Sequence, residues 1–227
     1  MNLFAVKACW LFLLNRNDAK RQTSATIPLQ QTASMTVDLE VVIVVRPLEL
    51  ADAAQAAQVW EDGLQQTVDL APSPDRRQMY QDYFAKQVEQ ERAEDGLMGP
   101  HGQGLYQFYI NNNENDCHMF VAVRGCDNQV VGLVGVKRGI DYTKFPSQED
   151  EDYKTFSIWK LSVAERRRGI GQKLMAAAEA WVRQQPDARK IRLLTGNPVA
   201  ASFYLSPKVG FIKTEEYSFY AAYEKEL

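Results

Sequence analysis

Histidine is scarce in this chain, and cysteine nearly so. The histidines are His101 and His118; the cysteines are Cys9, Cys117 and Cys126, with no Cys-x-x-Cys pair among them. An odd, scattered cysteine set excludes a disulfide framework and reads as free thiols in a reducing, intracellular compartment, the cytoplasm first. No His/Cys spacing offers a tetrahedral ligand set, so no metal is expected. His118, entering the run MFVAV, reads as a structural or solvent-facing residue rather than a ligand. An excess of positive charge is missing too. Lysine and arginine total 26 against 29 acids, for a net charge of −3. No nucleic-acid partner is therefore expected. Long hydrophobic runs are absent, and the apolar stretch near the N-terminus falls short of the roughly 20 residues that span a bilayer.

What is present is the composition of a globular protein, 45% hydrophobic and 24% charged. The 227 residues suffice for one domain with a sizeable core. Residues 1–38 differ from the rest, with Arg16, Lys20 and Arg21 among Ser and Thr after a short apolar core. Three readings stay open: a targeting peptide over residues 1–34, a disordered extension, or an upstream start ahead of Met35.

Regular periodicity runs over 39–227. EVVIVVRPL is a strand closed by Pro47, and ADAAQAAQVWEDGLQQ carries apolar residues at helical spacing. Ser73-Pro74-Asp75 starts a second helix that ends near Gly96. LYQFYI reads as a short helical turn. CHMFVAVRG and QVVGLVGVKRG are strands joined by a turn at CDNQ, and KTFSIWKLSV is a long strand. In GQKLMAAAEAWVRQQ, Leu174, Ala178, Trp181 and Val182 share a helix face, and Pro186 stops it. ARKIRLLTG is a strand, PVAASFYL a short helix, and FIKTEEYSFYAAYEKEL a hairpin. The order β-α-α-β-β-β-α-β-α-β-β predicts an α/β mixed sheet with helices on its faces.

The stretch AERRRGIGQK raises the functional question. Arg166, Arg167 and Arg168 run into the first turn of a helix, where orphan N–H groups and the macrodipole already disfavour a cation. A polyanion seated among them would resolve the conflict. Successive backbone N–H groups, the dipole and two glycines that let a ligand approach the backbone make a phosphate site. The plainer alternative is a surface turn of solvated arginines. GIGQKL is not a Walker loop, since no Gly-Lys-Ser/Thr closes it. It is not the dinucleotide fingerprint either, because Leu174 stands where a third glycine belongs.

The pattern Arg166-x-x-Gly169-x-Gly171 resembles that of the GCN5-related N-acetyltransferases, the GNAT superfamily. WKLSVAERRRGIGQKLMAAAEAW is similar to that family's strand-turn-helix almost throughout. Asn197, Ala200 and Tyr204, followed by Gly210-Phe211, resemble its Asn-x-x-Ala-x-x-x-Tyr…Gly-Phe segment. LSPKV makes the spacer after Tyr204 longer than the family's. CHMFVAVRGCDNQVVGLVGV resembles the camello-type branch. The resemblance covers roughly 39–223.

The resemblance implies a central sheet splayed near its middle, helices on both faces, and acetyl-CoA as cosubstrate in the gap. By position, Arg166, Arg167, Arg168, Gly169, Ile170, Gly171, Gln172 and Lys173 would hold the pyrophosphate. Leu161, Ser162 and Val163 would pair with the pantetheine arm, and Asn197 and Ala200 would flank it. Tyr204 would be the general acid for the leaving thiolate, against the plainer reading of a core aromatic. Asn197 also suits a helix N-cap. Glu151, in the acidic run SQEDEDY, is the candidate base, with a solvated loop or a water chain as alternatives. The implied activity is acetyl transfer to a primary amine of a small molecule or protein, by a monomer or homodimer. The competing reading is a non-catalytic acyl-CoA-binding sensor.

Overall fold

The computed structural model describes residues 42–71, 73–82, 85, 116–140, 146–218 and 220–227. The expectations for residues 1–38, for LYQFYI and for the end of the second helix near Gly96 lie outside them.

Among the described residues the element order is the expected one. It runs β1 (Ile43–Pro47), α1 (Ala53–Asp69), α2 (residues 74–82), β2 (Cys117–Arg124), β3 (Gln129–Arg138) and β4 (Thr155–Val163). Then come α3 (Ile170–Val182), β5 (Lys190–Thr195), α4 (Pro198–Tyr204), β6 (Ile212–Glu216) and β7 (Ala221–Glu226). The seven strands form one sheet in the order β1-β2-β3-β4-β5-β7-β6. Neighbours are antiparallel except β4 and β5, which are parallel and joined through α3. The terminal hairpin docks with β7, not β6, against β5, which leaves β6 as an exposed edge.

Each face of the sheet has its own core. Met119, Val121, Val123, Val130 and Leu133 pack with Ala53, Ala56 and Val59 of α1. Ala122, Val134, Val136, Phe156 and Ile158 pack on the other face with Leu174, Met175, Ala178 and Val182 of α3. Strand alternation produces this division: odd residues of β2 face α1 and even ones face α3. After Gln129, β3 is buried throughout because both faces are covered. The predicted α3 face is fully buried at Leu174, Ala178 and Val182. Trp181 lies at its margin, stacked on His118 at 5.3 Å between ring centroids.

α1 packs on β3 and β4 and reaches β4 very closely. A Cβ on Gly63 would lie 2.1 Å from Ser162 Oγ, so only glycine lets the helix settle there. The Ser162 hydroxyl donates to the carbonyl of Val59 at 2.9 Å.

Candidate active site

β4 and β5 pair over three residues each, from Thr155↔Lys190 to Ser157↔Arg192, and no farther. Beyond that point the strands part. Between Leu133 and Gly135 the β3–β4 register shifts, opposite Lys160, whose φ is +57°. A bulge with a left-handed non-glycine residue twists a strand locally and re-aims the chain beyond it. Leu161, Ser162 and Val163 follow on the diverging part of β4. Leu161 and Val163 are half-buried against the α3-face core.

The glycine turn closes the C-terminal end of this opening. Ala164 N–H donates to the Val131 carbonyl at 2.9 Å, fixing the start of the turn. Arg167 has φ +62° and Gly169 φ +73°, two left-handed residues either side of Arg168. Such alternation turns successive N–H groups toward one concavity. Gly169 is the N-cap of α3 and offers no capping side chain, and no acid stands in the first turn. Lys173 N–H is the first to bond back, to the Gly169 carbonyl at 3.1 Å. The N–H groups of Ile170, Gly171 and Gln172 precede the helical ladder and are open to an anion. Ile170 itself is 1% exposed and anchors the turn in the core.

The two glycines differ in what they do. Around Gly169 an added Cβ would meet nothing within 4 Å, whereas at Gly171 it would meet the Phe203 ring at 3.2 Å. Gly171 therefore admits α4 against the start of α3, and Gly169 supplies the turn's backbone conformation and its open side. Arg168 Nη1 lies 3.0 Å from Glu165 Oε2. Arg166, Arg167, Arg168 and Lys173 are exposed, and Gln172 is half-buried. Among the described residues, Arg166 and Arg167 have no ion-pair partner.

On the β5 side, Asn197 caps α4. Its Oδ1 accepts from Val199 N–H at 2.9 Å and from Ala200 N–H at 3.3 Å. Its Nδ2 donates to Thr67 Oγ1 of α1 at 3.2 Å, which leaves one amide hydrogen for a further acceptor. Tyr80 of α2 donates to the Gly196 carbonyl at 2.8 Å. These bonds tie α1 and α2 to the end of β5. Ala200 is half-buried in the α3-face core. Tyr204 is 6% exposed, its ring packed on Phe203, Phe211 and Tyr223 at centroid distances of 5.3, 5.7 and 6.4 Å. The longer LSPKV spacer is taken up in turns. Gly210 N–H returns to the Ser206 carbonyl at 2.8 Å, and Phe211 N–H to the Tyr204 carbonyl at 3.1 Å.

Glu151 is not brought to this opening. It is exposed, in a 3₁₀ turn (Glu151–Lys154) that precedes β4. The glycine turn follows β4, and a nine-residue strand at about 3.3 Å per residue puts roughly 30 Å between them. At that end the sheet is closed. The neighbouring acids serve the loop: Asp150 Oδ2 accepts from Ser147 N–H at 2.7 Å and Asp152 Oδ2 from Ile140 N–H at 3.0 Å.

Cys117 and His118 are both buried in β2. Burial pushes the Cys117 thiol up to about 12 and the His118 imidazole down to about 4. Among the described residues, no group of three or more His, Cys, Asp or Glu is placed to hold a metal ion.

Sequence reasoning missed Lys160. It is 3% exposed, with Nζ 4.5 Å from the Trp60 ring centre and 4.8 Å from that of Trp159. A Trp-Lys pair on a strand signals neither a left-handed bulge nor a partner tryptophan a hundred residues earlier.

A mixed sheet opened at its single parallel pair, with a glycine turn at the mouth, defines an α/β fold of the acetyltransferase kind. The chain belongs to the acetyltransferase (GNAT) family, whose model matches residues 75–211, more than half of the sequence. Solved structures share the fold. The Paia N-acetyltransferase of Thermoplasma acidophilum, in complex with coenzyme A, is 17% identical, with 82% of this chain and 99% of that one covered at a TM-score of 0.56. A GNAT-family acetyltransferase from Staphylococcus aureus Mu50 is 13% identical over 82% and 99%, at 0.52. One from Streptococcus pneumoniae is 15% identical over 82% and 100%, at 0.51. No curated protein matches the sequence.

Proposed function

We propose that this protein transfers the acetyl group of acetyl-CoA to a primary amine by direct attack, with both substrates bound together. The observation that carries the reading is the opening between β4 and β5 that starts past Ser157 and ends at an acid-free, uncapped helix N-terminus. A linear ligand with an anionic segment fits that shape and polarity, and the coenzyme A bound to the Thermoplasma relative supports the choice.

When bound, acetyl-CoA supplies an activated acetyl thioester. The chain's own residues supply the rest. Backbone N–H groups from Arg167 to Gln172 and the exposed guanidinium of Arg166 hold the pyrophosphate through charge-assisted bonds, with the exposed Lys173 side chain beside them. Backbone groups of Leu161, Ser162 and Val163 pair with the pantetheine amides, because the Ser162 side chain is already committed to α1. Asn197 offers its remaining Nδ2 hydrogen, and Ala200 keeps that wall narrow. Tyr204 carries a proton on its phenol oxygen for the sulfur, in a site from which its aromatic neighbours exclude water. The amine's proton leaves to water, since Glu151 stands at the far end of β4.

The acetyltransferase unit is residues 39–227, with 1–38 an extension that the chemistry does not need, acting as a monomer or homodimer. The camello-type likeness of residues 117–136 points to amino acids, their conjugates and protein amines as acceptors. Among the described residues, no helix is long and apolar enough to cross a membrane. The test is release of free thiol from acetyl-CoA across a library of primary amines. Amine-dependent, saturable release is expected. Acetyl-CoA binding without any such release would make the protein a sensor instead.

A further inference from the structure

The glycine turn is held by a carboxylate that the binding reading leaves unused. Glu165 lies two residues past β4, its side chain 22% exposed between two guanidinium groups. Arg124 Nη1, from the end of β2, donates to Glu165 Oε1 at 2.5 Å. Arg168 Nη1 stands 3.0 Å from Oε2, a charge contact rather than an aligned hydrogen bond, and Oε2 is buried without such a bond. Arg124 is itself fixed by the β2–β3 turn, through Nε and Nη2 to Asp127 at 3.0 and 2.8 Å and through Gln129. The Glu165–Arg168 contact spans three residues and encloses Arg167, the non-glycine residue at φ +62°.

We infer that Glu165 is a positioning residue, which holds the left-handed Arg167 turn in its anion-binding shape by bridging Arg124 and Arg168. This rests on the reading of the turn as the acetyl-CoA pyrophosphate site. Two opposed effects follow from a carboxylate there. Its charge repels a polyanion, but the two guanidinium groups in contact with it offset that charge at close range. Its bridge keeps a conformation that a side-chain-bearing residue leaves readily when released, and that effect is not offset. The second effect dominates at physiological salt. Asp127 and Glu165 together balance Arg124 and Arg168, so Arg166 and Arg167 remain as the turn's net positive charge toward a ligand.

The test is steady-state kinetics and acetyl-CoA calorimetry on the full chain, with Glu165→Gln, Glu165→Asp and Arg124→Met. Wild-type protein that does not bind acetyl-CoA would defeat the underlying reading and not this inference alone. With binding in hand, Glu165→Gln is expected to raise the acetyl-CoA Kd and KM about tenfold, the factor that roughly 1.4 kcal/mol of lost pre-organisation gives. At saturating acetyl-CoA, kcat and the acceptor KM should stay within about twofold of wild type. A structural lesion would instead lower kcat through loss of active protein. Arg124→Met should weaken binding in the same direction, and the double variant should lose less than the product of the singles. Glu165→Asp, too short to reach both guanidinium groups, should not rescue. The loss should persist at raised ionic strength. An unchanged Kd, or tighter binding in Glu165→Gln, overturns the inference and makes Glu165 a competitor for Arg168.

Discussion

Tyr204 carries the sharpest claim at the scale of single residues. It is buried among aromatics at the last residue of α4, as a packing residue would be, and the general-acid reading requires its phenol to face the opening as well. Tyr204→Phe removes the phenol proton and little of the packing. It should lower kcat by roughly 10²–10⁴-fold, the range for a lost acid–base group, with acetyl-CoA affinity near wild type. Parental turnover in the phenylalanine variant would reduce Tyr204 to a core aromatic. His118 gives a second prediction. Burial holds its native pKa near 4, against about 6.5 in an unfolded chain. Between those values the unfolded state binds a proton that the native state refuses, so stability falls as pH drops through that window. The slope reaches at most about 1.4 kcal/mol per pH unit for this one group. His118→Phe keeps a ring against Trp181 and removes the titration. Urea midpoints measured from pH 7 to 4 should then fall less steeply than in wild type.

At the scale of elements, what was legible in the sequence was local. The glycine turn, the α3 face and the Asn197 cap each depend on residues a few positions apart. Asn-Pro after a strand announced a capped helix, and the structure has Asn197 Oδ1 on two N–H groups of α4. What was not legible is long-range. The placement of β7 between β5 and β6 needs strand partners about thirty residues apart, and the left-handed Lys160 depends on how β3 and β4 slip past each other. The place of Glu151 was equally illegible, because sequence distance to β4 does not say which end of the strand carries the opening. The α1–β4 contact is similarly hidden: nothing in a helical Gly63 points to a serine ninety-nine positions on. Gly63→Ala would force 2.1 Å between a Cβ and Ser162 Oγ and should cost about 1–3 kcal/mol of stability. Adding Ser162→Ala removes that oxygen, so the double variant should be destabilised by less than the sum of the two singles. Strict additivity in denaturant midpoints would mean that α1 does not press on β4 there.

At the scale of the whole molecule, the described sheet has a seam between its two halves. The antiparallel half from β1 to β4 and the hairpin half from β5 to β6 meet in three paired residues, and the helices bridge the remainder. Asn197–Thr67 and Tyr80–Gly196 are such bridges, and both border the opening. The seam thus provides a slot of backbone donors and acceptors without a loss of core, because α1 and α3 cover the two faces. The central claim is that acetyl-CoA occupies this slot with its pyrophosphate on the turn. Amide hydrogen exchange with and without saturating acetyl-CoA tests it most directly. Slower exchange is expected at residues 158–163 and 167–173, with residues 155–157, already paired to β5, unchanged. Unaltered exchange across both segments at saturation, or protection confined to β6 and β7, would contradict the account.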